Sequence, residues 1–120
     1  YNKYLKNLKD LPICVQGTKD YNYKHGYHLF LFYFDKRKIK KNIRDKFLRY
    51  LNKNNIGAGV NYRSITNMTN YKKIFKWKDN LCPISNSVGL NTVSLPLYPS
   101  LKRTEQDYII KKVKFFFNNI

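Results

Sequence analysis

The apolar run His-Leu-Phe-Leu-Phe-Tyr-Phe-Asp, from His28 to Asp35, constrains the fold more than any other stretch of this chain. It has no interruption and is rich in aromatic side chains, which favour β-strands. A strand without a polar face is typically buried on both sides. The rest of the chain must therefore cover it, and a length of 120 residues fits one domain with a modest core.

Two further strands are predicted, and each carries an unusual feature. The stretch from Ile56 to Arg63 is thinned by Gly57 and Gly59, which indicates that another backbone or a ligand comes close to it. The stretch Thr92–Leu97 contains Pro96, which places it at a sheet edge or at a bulge. All three strands are short, so the sheet that they form is small.

Helical periodicity and capping residues predict five helices that precede, separate and follow these strands along the chain. The first, at the N-terminus, ends at Pro12, and the second is capped by Asn42 with Asp45. A short third helix is predicted over Tyr71–Trp77, with Tyr71, Ile74, Phe75 and Trp77 inward or half-inward. A fourth follows Pro83 over Ile84–Leu90, and the last is capped by Thr104 with Asp107. Residues 13–26 are predicted to be a loop. The pattern predicts an α+β fold, with a three- to four-stranded, mostly antiparallel sheet and helices packed on it.

The chain is strongly basic, with 24 Lys and Arg against 7 Asp and Glu and a net charge of +17. Such a charge is typical of proteins that bind nucleic acid or an anionic membrane. However, 19 of the 24 basic residues are Lys, and they are spread along the whole chain. Since specific nucleic-acid binders tend to cluster charge and to use Arg, we favour a solvated surface. A basic nucleic-acid-binding module remains the alternative.

No metal or catalytic motif is present. Cys14 and Cys82 are isolated, without zinc spacing, which predicts free thiols in a reducing compartment, with a disulfide as the alternative. The acidic residues are scattered, and His28, at the start of a buried strand, is given a structural role, with a site at the strand end as the alternative. No apolar segment reaches transmembrane length, and no signal peptide is visible. Because the sequence opens inside a predicted helix, we expect a fragment of a longer protein.

The best candidate site is Asn61-Tyr62-Arg63, where the second predicted strand leaves its glycines. Tyr and Arg side chains are well suited to hold a polar, anionic ligand. By residue type alone, ordinary surface is the alternative.

Several motifs occur in a characteristic order. They are His28-Leu-Phe, Arg44-Asp-Lys-Phe-Leu-Arg-Tyr-Leu51, Asn55-Ile-Gly-Ala-Gly-Val-Asn-Tyr-Arg63, Tyr71, Cys82-Pro-Ile-Ser, Ser94-Leu-Pro-Leu-Tyr-Pro99 and Tyr108-Ile-Ile-Lys-Lys-Val113. This series resembles the C-terminal domain of the DegT/DnrJ/StrS family of sugar aminotransferases, which depend on pyridoxal phosphate (PLP). The similarity extends from about Tyr1 to Phe117.

The resemblance implies a cytoplasmic, homodimeric enzyme that moves an amino group, usually from glutamate, onto a nucleotide-linked keto sugar. It also implies the C-terminal domain of a fold-type-I, aspartate-aminotransferase-like protein. On this basis, residues 1–27 are the end of an interdomain helix and a linker, and residues 28–120 are the small domain. The expected partners are a missing N-terminal large domain, a second copy and the nucleotide sugar, with no specific nucleic acid and no membrane.

The resemblance also assigns the candidate site. In relatives, the residues at the positions of Asn61 and Tyr62 lie near the nucleotide sugar, with His common at the first. Arg63 could pair with a diphosphate or a sugar acid group, or with a neighbouring acid. The lysine that holds PLP as a Schiff base belongs to the large domain, so we expect neither covalent PLP binding nor transamination by this chain alone. A non-catalytic relative is a further alternative.

Overall fold

The computed structural model describes residues 1–17, 20–35, 37–39, 43–78 and 81–120. The helices and strands in this part of the chain alternate irregularly. In chain order they are α1 (Asn2–Leu8), β1 (Ile13–Val15), β2 (Phe30–Phe34), α2 (Ile43–Lys53), a 3-10 turn (Ile65–Asn67), α3 (Thr69–Phe75), α4 (Pro83–Asn91), β3 (Thr92–Leu95) and α5 (Arg103–Asn118).

The strands form a three-stranded sheet in the order β1-β2-β3, and both pairings are antiparallel. The aromatic strand β2 is central, with Cys14 opposite Tyr33 on one side and Ser94 opposite Leu31 on the other. The predicted α+β fold with a small antiparallel sheet is therefore confirmed. The position of β3 matters for function, because its free edge faces the glycine-thinned segment described below.

The core lies on one face of β2. Phe30, Phe32 and Phe34 are at most 2% exposed, whereas Tyr33, on the opposite face, is 38% exposed. The prediction that both faces are buried is therefore wrong, since the helical layer covers the phenylalanine face more completely than the other. The ring of Phe47 from α2 meets Phe34 edge-on, with centroids 5.6 Å apart. Edge-to-face contact of this kind adds to the stabilisation from burial.

The N-terminal segment belongs to the same core. The Tyr4 ring lies 4.8 Å from Phe30, and its hydroxyl donates a hydrogen bond of 3.0 Å to the Pro96 carbonyl. Burial raises the pKa of Tyr4. On the surface, Lys3 Nζ lies 2.7 Å from Asp107 Oδ1 of α5. Residues 1–27 thus contribute a helix and a strand to the sheet and core, and the division at residue 27 stays a prediction about the whole protein.

Two strand predictions need correction. Residues 13–26 were expected to be a loop, but Ile13–Val15 forms β1; a three-residue strand is too short for its alternation to be recognised. The predicted strand from Ile56 to Arg63 is reduced to a single bridge, between Gly59 and Ser94. Glycine favours strands poorly, so only the residue that faces β3 pairs.

Two helix predictions also differ. Helix α5 begins at Arg103, and the Lys102 N–H donates to Glu105 Oε2 at 2.8 Å, so Thr104 lies inside the first turn instead of capping it. In α3, Tyr71 is 42%, Ile74 70% and Phe75 54% exposed, so the predicted inward face is wrong for all three. The predicted cap Asn42 lies outside the described residues. Pro83 does open α4, as expected.

We predict that Phe47→Ala lowers the free energy of unfolding by about 3–5 kcal/mol, because it leaves a cavity against β2. The matched control is Phe115→Ala: Phe115 is 58% exposed, so its loss should cost less than about 0.5 kcal/mol. Urea unfolding followed by circular dichroism gives both values. Equal losses in the two variants would contradict this description of the core.

A second prediction concerns Asp35, which follows β2. Its carboxylate accepts hydrogen bonds of 3.0 Å from the backbone N–H, Nε and Nη2 of Arg37. These bonds hold the pKa of Asp35 below its ordinary value. The folded pKa is the lower one, so the stabilisation is present above the unfolded value of about 3.9 and is lost as the pH falls through the folded pKa.

Thermal unfolding midpoints measured from pH 6 to pH 2 test this interaction. Asp35→Asn should flatten the acid side of the stability profile, whereas Asp10→Asn, at an exposed carboxylate, should leave the wild-type slope unchanged. A profile of Asp35→Asn that matches the wild type would show that the pair does not contribute.

Candidate functional site

The predicted site residues begin just after a helix exit. Helix α2 ends in a turn where Asn55 adopts a left-handed conformation with φ of 57°, as expected for Asn at such an exit. The chain then runs beside β3, and the Gly59 and Ser94 backbones exchange hydrogen bonds of 3.1 and 2.9 Å. This bridge ties the segment from Gly59 to Arg63, called the site segment below, to the sheet.

Asn61 is held by the same bridge. The Ser94 hydroxyl donates to Asn61 Oδ1 at 2.5 Å, and the Asn61 side chain is half-buried. A Cβ at position 59 would lie 3.3 Å from Asn61 Oδ1 and 3.5 Å from Ser94 Oγ. Gly59 therefore keeps room for this contact, which explains the glycine that the sequence pattern singled out.

Tyr62 and Arg63 point outward from the same segment. Tyr62 is 69% exposed, and Arg63 is also exposed. The structure records no hydrogen bond or ion pair from either side chain to any of the residues that it describes. The structure thus presents two side chains with strong capacity for polar contacts on a segment whose backbone is fixed.

Helix α4 supports the site segment through Gly89, which sequence reasoning missed. A Cβ at this position would lie 2.6 Å from the Ser64 nitrogen and 3.2 Å from the Tyr62 carbonyl oxygen. Only glycine allows this approach, because a side chain would have to displace backbone atoms. Arg44 Nη1 donates to the Gly89 carbonyl at 2.9 Å, which ties α2 to the same point.

A buried polar network completes the support. Ser64, Thr66 and Asn86 are each at most 8% exposed. Ser64 Oγ and Thr66 Oγ1 lie 2.7 Å apart, and Thr66 Oγ1 donates to Asn86 Oδ1 at 2.6 Å. Buried polar groups that hydrogen-bond to one another hold a single arrangement, so this network fixes the backbone next to Arg63. Its only sequence signal was a polar stretch beside a short helix.

A basic cavity of about 590 Å³ opens between α2, the site segment and α4. Its lining includes Arg44, Arg63, Lys72, Asn67, Asn86 and Gly89, and none of the described residues that line it is acidic. Asn61 and Tyr62 do not line it. The structure therefore places Arg63 in the basic cavity and Asn61 beside β3, on one continuous segment.

Comparison with known proteins identifies the class. The sequence profile of the DegT/DnrJ/EryC1/StrS aminotransferase family matches residues 1–114, and the chain belongs to this family. MJ1066 of Methanocaldococcus jannaschii is 33% identical over 109 residues, which cover 91% of this chain and 27% of that protein. The spore coat polysaccharide biosynthesis protein SpsC of Bacillus subtilis is 28% identical over 112 residues, covering 93% and 29%.

Solved structures share the fold. Spr1654 of Streptococcus pneumoniae, a candidate sugar aminotransferase solved in its PLP form, superposes with a TM-score of 0.85 at 22% identity, over 98% of this chain and 29% of that one. DesV of S. venezuelae gives a TM-score of 0.81 at 21% identity, over 99% and 30%. The chain thus spans less than a third of the length of these relatives.

None of the lysines that the structure describes lies in a setting suited to covalent attachment of PLP. A lysine that forms such a bond needs a desolvated setting, and every described lysine is exposed or half-buried. Among the described residues no cluster of His, Cys, Asp and Glu could hold a metal ion. In the same part of the chain, no helix is both long and apolar enough to cross a bilayer. Cys14 and Cys82 are free thiols.

The support of the site segment leads to a prediction. Gly89→Ala should lower the free energy of unfolding by about 1–3 kcal/mol, because the new methyl group overlaps the Ser64 nitrogen. It should also shift the backbone amide resonances of Tyr62 to Ser64. The control is Gly57→Ala, where a Cβ would meet nothing within 4 Å, so stability should change by less than about 1 kcal/mol. A silent Gly89→Ala would rule out the close contact.

Proposed function

We propose that this chain is the C-terminal domain of a PLP-dependent aminotransferase that transfers an amino group, from glutamate, to a nucleotide-linked keto sugar. The observation that carries this proposal is the family match over residues 1–114. The coverage of less than a third of each relative supports a division of labour, in which a large N-terminal domain provides the cofactor lysine. The complete protein is proposed to be a cytoplasmic homodimer.

In this proposal the chain contributes substrate contacts and no catalytic group. Asn61, Tyr62 and Arg63 contact the nucleotide sugar. The sheet and α4 hold their backbone, so little conformational freedom is lost when the substrate binds. Tyr62 offers an exposed ring and hydroxyl, and Arg63 offers a planar cation for an anionic group. The isolated chain is proposed to be inactive and not to hold PLP covalently, in keeping with its lack of a buried lysine among the described residues.

The net charge of +17 favours a second candidate, a basic nucleic-acid-binding module. Affinity of that kind falls steeply with salt and depends on the number of phosphate contacts. The affinity for nucleic acid should decrease step by step as surface lysines are removed. The family match and the site segment favour the enzyme over this candidate. A non-catalytic relative would share the fold and lack the amino transfer measured below.

The proposal is tested on the protein encoded by the complete reading frame that contains this chain. That protein should convert a nucleotide-linked keto sugar to the amino sugar with glutamate as donor, as followed by mass spectrometry of the product. Absence of amino transfer with a panel of nucleotide-linked keto sugars would contradict the proposed activity.

Variants of the same protein test the proposed contact. Tyr62→Ala should raise KM for the keto sugar about tenfold, the effect of losing one well-placed polar contact, and leave the glutamate half-reaction at its wild-type rate. Tyr21→Ala is the matched control, because Tyr21 is 66% exposed, close to the 69% of Tyr62. Equal KM values in the two variants would remove Tyr62 from the site.

A further inference from the structure

We propose that Ser94 is a positioning residue for substrate binding. Its hydroxyl holds the Asn61 amide so that Nδ2, with its two N–H donors, is turned toward the substrate. The substrate group that Asn61 contacts is therefore a hydrogen-bond acceptor, an oxygen atom, and not an ammonium group. The contact of Asn61 with the substrate rests on the proposed function, whereas the orientation of its amide rests on the contacts of Ser94.

Ser94 lies where β3 meets the site segment. Its backbone pairs with Leu31 of β2 on one side and with Gly59 on the other. The residue is buried, at 6% exposure. A hydroxyl on a strand that is paired on both sides starts from a fixed point, so it can hold a neighbouring side chain more precisely than a hydroxyl on a loop.

The Ser94 hydroxyl has two oxygen atoms within reach. Asn61 Oδ1 lies 2.5 Å from Oγ, and the Gly59 carbonyl oxygen lies 3.3 Å from it. The Gly59 carbonyl already accepts the Ser94 backbone N–H at 2.9 Å. Because a serine hydroxyl carries a single proton, that proton goes to the closer acceptor, Asn61 Oδ1.

The length of this contact also identifies which end of the Asn61 amide faces Ser94. Hydrogen bonds from O–H to oxygen span about 2.5–3.0 Å, whereas those from N–H to oxygen span about 2.7–3.2 Å. The distance of 2.5 Å lies in the first range and below the second. The amide oxygen therefore faces Ser94, and the amide nitrogen faces away from it.

The nitrogen of the Asn61 amide is the end that faces outward. Nδ2 donates to none of the residues that the structure describes. In the same part of the chain, Thr92 Oγ1 is the one buried side-chain oxygen or nitrogen without a hydrogen bond, so Nδ2 is open to solvent. Since the amide is already oriented, little conformational freedom is lost when a ligand accepts its hydrogen bonds.

Two donors on one nitrogen define the chemistry of the group that they bind. Carbonyl, hydroxyl and phosphate oxygens accept hydrogen bonds, whereas an ammonium group has donors only. With the amide turned over, its oxygen would face the substrate and would favour an ammonium group instead. Ser94 thus selects between the two faces of Asn61, and it acts on specificity through that side chain.

Kinetics of the complete protein test the positioning role. Ser94→Ala should raise KM about fivefold for the keto sugar that reacts in the assay above, the effect of one neutral hydrogen bond, and should leave the glutamate half-reaction at its wild-type rate. The matched control is Thr92→Val. Thr92 lies on the same face of β3 and is fully buried, and its hydroxyl has no hydrogen-bond partner among the described residues, so KM should not change.

Two further variants separate positioning from a general effect on the fold. If Ser94 acts through Asn61, adding Ser94→Ala to Asn61→Ala leaves the KM of Asn61→Ala unchanged. Asn61→Asp replaces the two donors by an acceptor, so it should raise KM at least as much as Asn61→Ala. A further rise of KM in the double variant, or a wild-type KM in Asn61→Asp, overturns the proposal.

Nuclear magnetic resonance of this chain tests the contact without an enzyme assay. The side-chain amide resonances of Asn61, assigned by their loss in Asn61→Ala, should shift in Ser94→Ala and keep their positions in Thr92→Val. Unmoved resonances in a folded Ser94→Ala variant refute the contact, even in an active aminotransferase. A shift in a protein that transfers no amino group to any keto sugar refutes the proposed function and leaves the orientation of Asn61 intact.

Discussion

The alternation of side chains along β2 determines most of what the rest of the structure does. Phe30, Phe32 and Phe34 share one face and are almost completely buried, so the helices must gather there. The hydrogen-bonded edge of β2 then positions β3, and the other edge of β3 holds Gly59 through Ser94. One face of β2 thus determines where the core lies, and its edge determines where the site segment lies, through the pairing with β3.

The sequence was sufficient for the elements whose local signal agrees with their surroundings. The aromatic run of β2, Pro83 at the start of α4 and Asn55 at the exit of α2 each have a local physical cause. The exposure of Ile74 and Phe75 could not be predicted, because helical spacing shows which residues share a face and not what covers that face. In and just after α3 the rings of Tyr71, Phe75 and Trp77 contact one another, with the Phe75 and Trp77 centroids 4.9 Å apart.

The residues of the candidate site also fall into two groups, those that the sequence indicates and those that it does not. Asn61, Tyr62 and Arg63 could be selected from sequence because unusual glycines precede them. Arg44 and Gly89 could not, because their hydrogen bond joins residues 45 positions apart. The available signal was a glycine inside a helix, which costs about 0.5–1 kcal/mol relative to alanine and therefore needs a reason. The reason is the Ser64 backbone, whose nitrogen would lie 2.6 Å from an added Cβ.

The large positive charge and the basic cavity act at different distances, and this difference decides selectivity. Exposed lysines attract any polyanion, and salt screens that attraction over about 10 Å at 0.1 M ionic strength. Arg44, at 13% exposure, lies where water screens it less. The lysine surface can raise the rate at which anions arrive, but it cannot distinguish among them. Discrimination must come from guanidinium groups with fixed geometry, and Arg44 is one at this cavity, since its Nη1 donates to the Gly89 carbonyl and its Nε to Asp45 Oδ1.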